Sequence, residues 1–275
     1  AIEIAGKAAK DIDCIIVSTC SPDFYYPNTA CLVQNLIGAQ PCACMDVNTA
    51  CTGFITAVDI ARNFLASDTY KTILVVASER LTSQIDYTDR ASCILFGDGA
   101  GAVLVEATEE EGVGFQDSML LTDGKGLPFL HMKAGGSVCP PSHFTIDNRL
   151  HYVYQEGRTV FRHAVTYMSD DVAEVMQRNG LDNTNLNWII PHEANLRIID
   201  AVAKRANLPL DKVVINIDHY GNTSSATIPL ALWDNEANFK KGDNIIFTAF
   251  GAGFVHGAIY YKWGYDGASA GTDAK

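Results

Sequence analysis

Short apolar runs of strand length alternate along the chain with longer segments whose apolar residues recur at helical spacing. In the first half the strand-like runs are 13–19, 42–48, 71–79 and 99–107, and the helix-like segments are 28–38 and 51–67. The run at 71–79 is apolar almost throughout, which is typical of a strand that is covered on both faces. The alternation predicts an α/β fold in which helices cover the strands.

The second half repeats this order after a long helix-like segment at 158–180. Its strand-like runs are 187–193, 212–218, 243–250 and 255–263, and its helix-like segments are 194–208 and 223–237. We therefore expect two related halves, at 1–119 and 158–264. A Gly- and Pro-rich connecting region at 120–157 and a flexible tail at 265–275 complete the predicted organisation.

The chain has 275 residues, of which 48% are hydrophobic and 19% are charged, so it can bury a large core. Its formal net charge of −12 argues against binding of nucleic acid or of an anionic membrane over the whole surface, although a local basic patch can still bind an acidic partner. The eight cysteines lie mostly in apolar segments, and neither a signal peptide nor an apolar run of transmembrane length is evident. We expect free thiols, no metal site and a cytoplasmic protein, with disulfide bonds as the less favoured alternative.

Cys51 lies between Ala50 and Thr52, where a predicted strand ends and the helix at 51–67 begins. The positive end of a helix dipole stabilises a thiolate, so we expect the pKa of Cys51 to be lowered and its thiol to act as a nucleophile. Its small neighbours leave room for a reagent to approach. Taken alone, the position also fits a cysteine that is buried as a small apolar side chain.

His192 ends the first predicted strand of the second half, and Asn222 occupies the position in the repeat that is equivalent to Cys51. Because strand ends meet on one side of an open α/β sheet, we expect the three side chains to converge. A neutral histidine Nε2–H and an asparagine amide can both donate to one oxyanion. Each residue also has a structural interpretation: His192 as a satisfied polar residue at a strand end, and Asn222 as a turn or helix cap.

Two Gly-rich segments resemble each other, FGDGAGAV at 96–103 and FGAGFVHGA at 250–258. We expect the second to bring a backbone N–H close to Cys51, where it would help to bind an oxyanion. As an alternative, both segments are turns that connect strands. Neither has the spacing of a phosphate-binding P-loop.

Six motifs, in this order along the chain, closely resemble β-ketoacyl-acyl-carrier-protein synthase III, a family of condensing enzymes in the thiolase superfamily. They are DVNTACTGF, TDRASCILFGDGAGAV, AGGS, PHEANLRII, HYGNTSSATIPLAL and FGAGF. The resemblance implies a thiolase-like αβαβα five-layered fold, a homodimer and an acyltransferase of type II fatty-acid synthesis. The implied substrates are an acyl-CoA primer and malonyl-acyl carrier protein, with no cofactor beyond the CoA thioester and the carrier's phosphopantetheine.

The resemblance also implies roles for particular residues in a ping-pong decarboxylative Claisen condensation. Cys51 would take the acyl group as a thioester, and His192 and Asn222 would stabilise the enolate formed when malonyl-carrier protein loses carbon dioxide. The backbone N–H groups of Cys51 and Ala252 would form the oxyanion hole at the thioester. The implied products are a 3-oxoacyl-carrier protein, carbon dioxide and CoA.

Further positions match residues with which the family binds CoA and partner proteins. The implied contacts with CoA are Arg90, Arg158, Phe161 and Asn195. Tyr26 is implied to reach into the acyl pocket of a partner subunit. Arg197, Lys204 and Arg205 share one helical face and match the basic residues that dock the acidic carrier protein.

The chain departs from the family at several positions. It lacks the family's first strand and so looks N-terminally truncated, Ala252 stands where the family has a glycine, and His256 replaces an aromatic residue. Glu193 replaces a glutamine, and we expect its charge to raise the pKa of His192. Three alternatives stay open: a related condensing enzyme of secondary metabolism, a catalytically inert fragment that acts in dimerisation or binding, and a Cys-His-Asn hydrolase.

Overall fold

Two four-stranded β-sheets carry the fold in the computed structural model, which describes residues 1–267. The strands of the first sheet are β1 (Cys14–Ser18), β2 (Ala43–Val47), β3 (Thr72–Arg80) and β4 (Asp98–Glu106). Their order is β2-β1-β3-β4; β1 runs parallel to β2 and β3, and β4 is antiparallel to β3. The strands predicted in the first half are therefore confirmed.

The strands of the second sheet are β5 (Gly114–Thr122), β8 (Trp188–Pro191), β9 (Asn244–Gly251) and β10 (Val255–Lys262). Their order is β5-β10-β9-β8, with β8 parallel to β9 and the other pairings antiparallel. A short ribbon of β6 (Leu130–Met132) and β7 (Val153–Gln155) lies outside both sheets. The strands predicted at 187–193, 243–250 and 255–263 are confirmed.

The helices form three layers around these sheets. In chain order they are α1 (Thr29–Leu36), α2 (Gly53–Ala66), α3 (His143–Asp147), α4 (Gly157–Arg178), α5 (Leu196–Arg205), α6 (Ile217–Tyr220) and α7 (Thr227–Asn235). Helix α1 covers the outer face of the first sheet, α2 and α7 lie between the sheets, and α4 and α5 cover the outer face of the second sheet. The predicted αβαβα arrangement of five layers is confirmed.

Apolar side chains from both sheets meet in the middle layer and form one shared core. Ile16 and Val75 of the first sheet and Ile190 of the second belong to this core with Phe54 and Ile228 of the two central helices, and all five are buried. Burying one such side chain contributes roughly 1.5–3 kcal/mol relative to leaving it exposed. Separating the two halves would therefore expose this core to water.

Strand β5 lies in a segment for which the sequence predicts no strand. Its sequence, GFQDSMLLT, lacks regular alternation, and the register of its pairing with β10 shifts between Tyr260 and Tyr261. Such an irregularity interrupts the period of two on which the prediction depends. The predicted boundary between residues 119 and 120 falls within β5, which pairs with the sheet of the second half. The connecting region at 120–157 also contains β6, α3 and β7.

The strand predicted at 212–218 is wrong. Only Val213 joins the second sheet, through a single bridge to Ile189, and the chain then turns into α6. The backbone N–H of Asn216 donates to both carboxylate oxygens of the buried Glu193, at 3.1 and 3.0 Å. Because this N–H is bonded to a side chain, it is lost to strand pairing, and β8 remains at the edge of the sheet.

The C-terminal end of the described chain is bonded to the second half. Tyr265 Oη donates to Glu236 Oε1 at 2.6 Å, and the N–H of Gly267 donates to the carbonyl oxygen of Phe239 at 2.8 Å. The tail predicted at 265–275 therefore begins with anchored residues, and its remainder, 268–275, lies outside the described residues. Within residues 1–267 no helix is both long and apolar enough to cross a bilayer.

The outer layer of the second half offers a matched test of this packing on one helix. Ile199 of α5 is fully buried, whereas Leu196 on the same helix is 55% exposed. Ile199→Ala should lower the free energy of unfolding by about 2–5 kcal/mol, because it leaves a cavity in the core. Leu196→Ala should lower it by less than about 0.5 kcal/mol. Urea denaturation of both variants checks this, and equal losses would contradict the placement of α5 over the sheet.

Candidate active site

Cys51 lies in a single 3₁₀ turn, Ala50–Thr52, between β2 and α2. The hydroxyl of Thr52 donates to the carbonyl oxygen of Thr49 at 2.6 Å and closes the turn. The end of β9 comes directly against it: a Cβ atom on Gly251 would lie 2.8 Å from the backbone nitrogen of Cys51. Glycine at this position therefore allows the second half to touch the turn that carries the thiol.

A cavity of about 280 Å³ lies at this contact, and its lining includes Cys51, His192 and Asn222. One of these residues comes from the first half and two come from the second. The cavity wall also includes Phe161 and Asn195. A thiol, an imidazole and an amide from separate parts of the chain thus face one enclosed space, as acyl-transfer chemistry requires.

His192 follows β8 and is only 2% exposed. Its Nδ1 lies 2.8 Å from the hydroxyl of Thr227, and that hydroxyl donates its own proton to the carbonyl oxygen of Ser224 at 3.0 Å. With the hydroxyl proton donated to Ser224, this arrangement favours Nδ1–H as the donor to Thr227, which leaves a lone pair on Nε2. Burial lowers the pKa of His192 to about 4, against a smaller opposing effect of its hydrogen bond to the backbone of Ser224.

The Nε2–H donor expected from the sequence stays a prediction, and it depends on where the imidazole carries its proton. A neutral imidazole that carries its proton on Nδ1 is a base at Nε2. Nε2 becomes a hydrogen-bond donor once it has taken up a proton. Thr227 and Ser224, which fix this tautomer, were not singled out in the sequence, although both lie in the Ser- and Thr-rich run NTSSAT that begins at Asn222.

Asn222 is fixed through both its backbone and its side chain. Its N–H donates to Leu95, and its carbonyl oxygen accepts from Gly97, both at 2.9 Å. Its side-chain Oδ1 accepts from the N–H of Ser224 at 2.8 Å. Oδ1 is therefore occupied, while Nδ2 has no acceptor among residues 1–267 and is free to donate to a ligand in the cavity.

The lowered pKa predicted for Cys51 is wrong. Burial raises the pKa of Cys51 to about 12, and the charge of Glu79 acts in the same direction. Hydrogen bonds from Ser224 and from the backbone N–H of Cys51 lower it, but by less. Loss of water around the thiolate thus outweighs the helix N-terminus, and the resting thiol keeps its proton until a base removes it.

The effect predicted for Glu193 is also wrong. Its carboxylate binds the N–H of Asn216, and burial raises the pKa of Glu193 to about 7. Burial of the imidazole, and not a neighbouring charge, governs the pKa of His192. The direction of that shift is therefore opposite to the one expected.

The two backbone groups predicted for the oxyanion hole come from the contacting segments. Ala252 follows Gly251, which lies against Cys51. Within residues 1–267 neither the N–H of Ala252 nor that of Cys51 donates to a protein oxygen, so both can bind an oxyanion. Ala252 is not among the described non-glycine residues with positive φ, so its methyl group is tolerated where a glycine was expected.

The residues predicted to bind CoA lie at the cavity or close to it. Phe161 and Asn195 line it, and Arg158 follows Gly157, which also lines it. Arg90 is exposed in the loop between two lining residues, Asp89 and Ala91. Tyr26, in contrast, lies outside the cavity lining and is 88% exposed.

The three basic residues predicted to dock the carrier protein differ in their surroundings. On α5, Lys204 Nζ pairs with Asp200 at 2.5 Å, and Arg205 pairs with Asp170 at 3.6 Å. Arg197 forms no ion pair within the described part of the chain and lines a depression that shares Asn195 with the cavity. Of the three, only Arg197 is among the lining residues of this depression beside the cavity.

No metal site and no disulfide enter this arrangement. The eight cysteines, all of which lie within residues 1–267, are free thiols. In the same part of the chain no group of three or more His, Cys, Asp or Glu side chains is placed to hold a metal ion.

The raised pKa of Cys51 can be tested by alkylation with iodoacetamide in the absence of substrate. Because only the thiolate reacts, the rate at Cys51 should rise about tenfold per pH unit from pH 7 to pH 9 without a plateau. Peptide mapping by mass spectrometry separates Cys51 from the exposed Cys31, which serves as an internal reference for the reagent. A plateau below pH 8 would contradict the protonated resting thiol.

Comparison with known proteins identifies the family. A family model described as 3-oxoacyl-[acyl-carrier-protein (ACP)] synthase III matches residues 45–124, and the model of its C-terminal part matches residues 176–263. The β-ketoacyl-[acyl-carrier-protein] synthase III 2 of Bacteroides thetaiotaomicron is 56% identical over 262 residues, which cover 95% of this chain and 78% of that protein.

Solved structures agree with these sequence matches. The crystal structure of 3-oxoacyl-[acyl-carrier-protein] synthase III from Aquifex aeolicus matches with a TM-score of 0.87 at 37% identity, covering 96% of this chain and 81% of that one. The priming β-ketosynthase of the R1128 polyketide pathway matches with a TM-score of 0.86 at 32% identity, covering 98% and 79%. The chain therefore belongs to the β-ketoacyl-[acyl-carrier-protein] synthase III family.

Proposed function

We propose that the chain catalyses the initiating condensation of type II fatty-acid synthesis, in which an acyl-CoA primer and malonyl-acyl carrier protein give 3-oxoacyl-carrier protein, carbon dioxide and CoA. The observation that carries the proposal is the shared cavity. It presents a thiol at Cys51, a base at His192 Nε2 and an amide donor at Asn222 Nδ2. Membership of the family supports the same reaction.

In the first half-reaction His192 Nε2 takes the proton of Cys51, and the thiolate attacks the carbonyl carbon of the acyl-CoA. The N–H groups of Cys51 and Ala252 hold the oxyanion of the tetrahedral intermediate. CoA leaves as a thiolate, which is protonated by solvent, and the acyl group stays on Cys51 as a thioester. His192 retains the proton of Cys51.

In the second half-reaction malonyl-carrier protein enters and loses carbon dioxide. The electron pair of the broken C–C bond becomes an enolate, whose oxygen accepts hydrogen bonds from protonated His192 Nε2 and Asn222 Nδ2. The enolate carbon attacks the Cys51 thioester and forms the new C–C bond. The thiolate of Cys51 then recovers its proton from His192, which returns the site to its resting state.

The hydrogen bonds of Asn222 argue against the hydrolase alternative. In a Cys-His-Asn hydrolase the asparagine orients the histidine. Here Asn222 Oδ1 binds the N–H of Ser224, and Thr227 is the partner of His192 Nδ1. Asn222 is therefore free to share a ligand oxygen with His192, as a condensing enzyme needs.

A related condensing enzyme of secondary metabolism is the second candidate. The similarity to the priming β-ketosynthase of a polyketide pathway favours it. The two candidates differ in the extender that reacts with the acyl-enzyme, so assays with malonyl-carrier protein and with CoA thioesters separate them. An inert fragment, the third alternative, predicts no acylation of Cys51 at all.

We also propose the partners of the reaction. The chain acts as a cytoplasmic homodimer without a cofactor, and the exposed Tyr26 reaches into the acyl pocket of the partner subunit. Arg158, Phe161 and Asn195 line the tunnel that takes CoA, and Arg90 lies beside its adenine; Phe161 and Asn195 line the cavity itself. Arg197, with smaller contributions from Lys204 and Arg205, docks the acidic carrier protein.

Intact-protein mass spectrometry after incubation with acetyl-CoA tests the chemistry. The native chain should gain one acetyl group, and Cys51→Ser should gain none at that position. Asn222→Ala should still be acetylated but should lose about 100-fold or more in condensation, because an enolate donor is missing. Asn183→Ala is the control. Asn183 is exposed and does not line the cavity, so this variant should keep both activities. Failure of the native chain to take any acyl group would favour the inert fragment.

Charge reversal at Arg197, in the depression beside the cavity, tests docking of the carrier protein. Arg197→Glu should raise the KM for malonyl-carrier protein about tenfold, because it replaces the unpaired cation near the cavity. Lys204→Glu should have a smaller effect, since Lys204 is already paired with Asp200. Lys240→Glu makes the same change of charge before β9, at the opposite end of the sheet from the cavity, and controls for net charge. Equal effects at Arg197 and Lys240 would contradict local docking.

A further inference from the structure

Glu79, the second-last residue of β3, is a buried carboxylate that the proposed reaction does not use. It is only 4% exposed, and within residues 1–267 no Lys, Arg or His forms an ion pair with it. A buried charge without a counter-ion is costly unless hydrogen bonds replace its water. Hydrogen-bond donors therefore stabilise the carboxylate, and the elements that supply these donors indicate the role of Glu79.

The donors come from both halves of the chain. Oε2 accepts from Thr19 Oγ1 at 3.3 Å, from Cys20 N and Sγ at 3.1 and 3.4 Å, and from Ser21 Oγ at 2.7 Å. Oε1 accepts from Ser225 Oγ of the second half, also at 2.7 Å. Glu79 thus joins the end of β1 to the second half through one carboxylate.

Ser225 belongs to the segment that positions the second-half groups of the site. This segment, 222–227, contains Asn222, and it contains Ser224 and Thr227, which bind the imidazole of His192. Ser224 has a positive φ of 52°, a conformation that L-residues adopt only when their surroundings hold it. Its hydroxyl lies 3.7 Å from Cys20 Sγ and hydrogen-bonds the thiol of Cys51.

We propose that Glu79 is a positioning residue, which locks segment 222–227 against the first half and thereby fixes the enolate donors relative to Cys51. The link to catalysis rests on the proposed function, whereas the lock itself is a property of the fold. Loss of the lock should affect condensation, which needs both halves of the site. It should lower acylation of Cys51 as well, because Ser224 and Thr227 hold the imidazole that deprotonates the thiol. The loss should be larger in condensation, which also needs the amide of Asn222.

Two serines provide a matched pair of variants. Ser225→Ala and Ser21→Ala each delete one 2.7 Å hydrogen bond to Glu79, but only Ser225 crosses between the halves. We expect Ser225→Ala to lower the condensation rate about tenfold or more and the acetylation rate of Cys51 by a clearly smaller factor. Ser21→Ala should change both rates less than about threefold. Two results would overturn the proposal: equal losses of the condensation and acetylation rates in Ser225→Ala, or equal losses of condensation in Ser225→Ala and Ser21→Ala.

Glutamine at position 79 separates hydrogen bonding from charge. Its carbonyl oxygen can keep the donors of the first half, and its amide can donate to Ser225, whose hydroxyl can then donate to the carbonyl oxygen of Ser18. Glu79→Gln should therefore keep condensation within about threefold and move the alkylation profile of Cys51 to lower pH. Glu79→Ala should lose condensation as Ser225→Ala does. If Glu79→Gln lost as much condensation activity as Glu79→Ala, a role of the hydrogen bonds in positioning would be contradicted.

Amide hydrogen exchange measures how firmly Glu79 holds segment 222–227, and it needs no substrate. The peptide that contains 222–227 should exchange faster in Ser225→Ala than in the native chain and should be unchanged in Ser21→Ala. Unchanged exchange in Ser225→Ala would overturn the lock. If the exchange responds but the native chain condenses no substrate, the lock stands and the proposed function fails.

Discussion

Two close approaches between backbones of the two halves hold the site together, and the rest of its geometry depends on them. At the first, Gly251 lies against the turn of Cys51, where a Cβ atom would come within 2.8 Å of the Cys51 nitrogen. At the second, the backbone of Asn222 bonds to Leu95 and Gly97, and a side chain on Gly97 would collide with the carbonyl oxygen of Tyr220. The glycines of both Gly-rich segments thus serve close contact between the halves, which their interpretation as connecting turns does not explain.

The burial that brings these groups together also sets their protonation. It raises the pKa of Cys51 and lowers that of His192, because loss of water disfavours thiolate and imidazolium alike. The thiol and the imidazole therefore rest uncharged, and a single proton transfer between them creates both charges at once. Opposite charges attract strongly in a medium of low dielectric constant. The enolate of the proposed reaction then meets an imidazolium that was neutral until Cys51 gave up its proton.

The sequence predicts those features that depend on local pattern. Strand β3 and helix α2 follow from their own apolar spacing, and Cys51, His192 and Asn222 follow from the rule that strand ends converge. Strand β5 could not be found in this way, because its sequence lacks regular alternation and it becomes a strand only by pairing with the distant β10. The protonation of Cys51 and His192 depends on burial by distant segments, so no local pattern contains it.

The role of Glu79 is a further feature that no local sequence pattern predicts. A glutamate at the end of an apolar strand reads in sequence as the point where the strand reaches solvent. Its burial results from the second half, which supplies Ser225 to one carboxylate oxygen. A residue whose role is to join two segments has no signature in either segment alone.

Cys51 and Asn222 occupy corresponding positions in the two halves of the fold, but their side chains have different chemistry. The turn after the second strand of the first half carries a nucleophile, while the equivalent position of the second half carries an amide donor. A non-glycine residue with positive φ lies beside each, Ala50 at 47° and Ser224 at 52°, and such residues cost of order 1–3 kcal/mol. Ala50 lies against Gly251 of the second half, and Ser224 contacts Cys20 of the first. Each strained turn is therefore held by the other half, so the geometry of neither turn is a property of its own half alone.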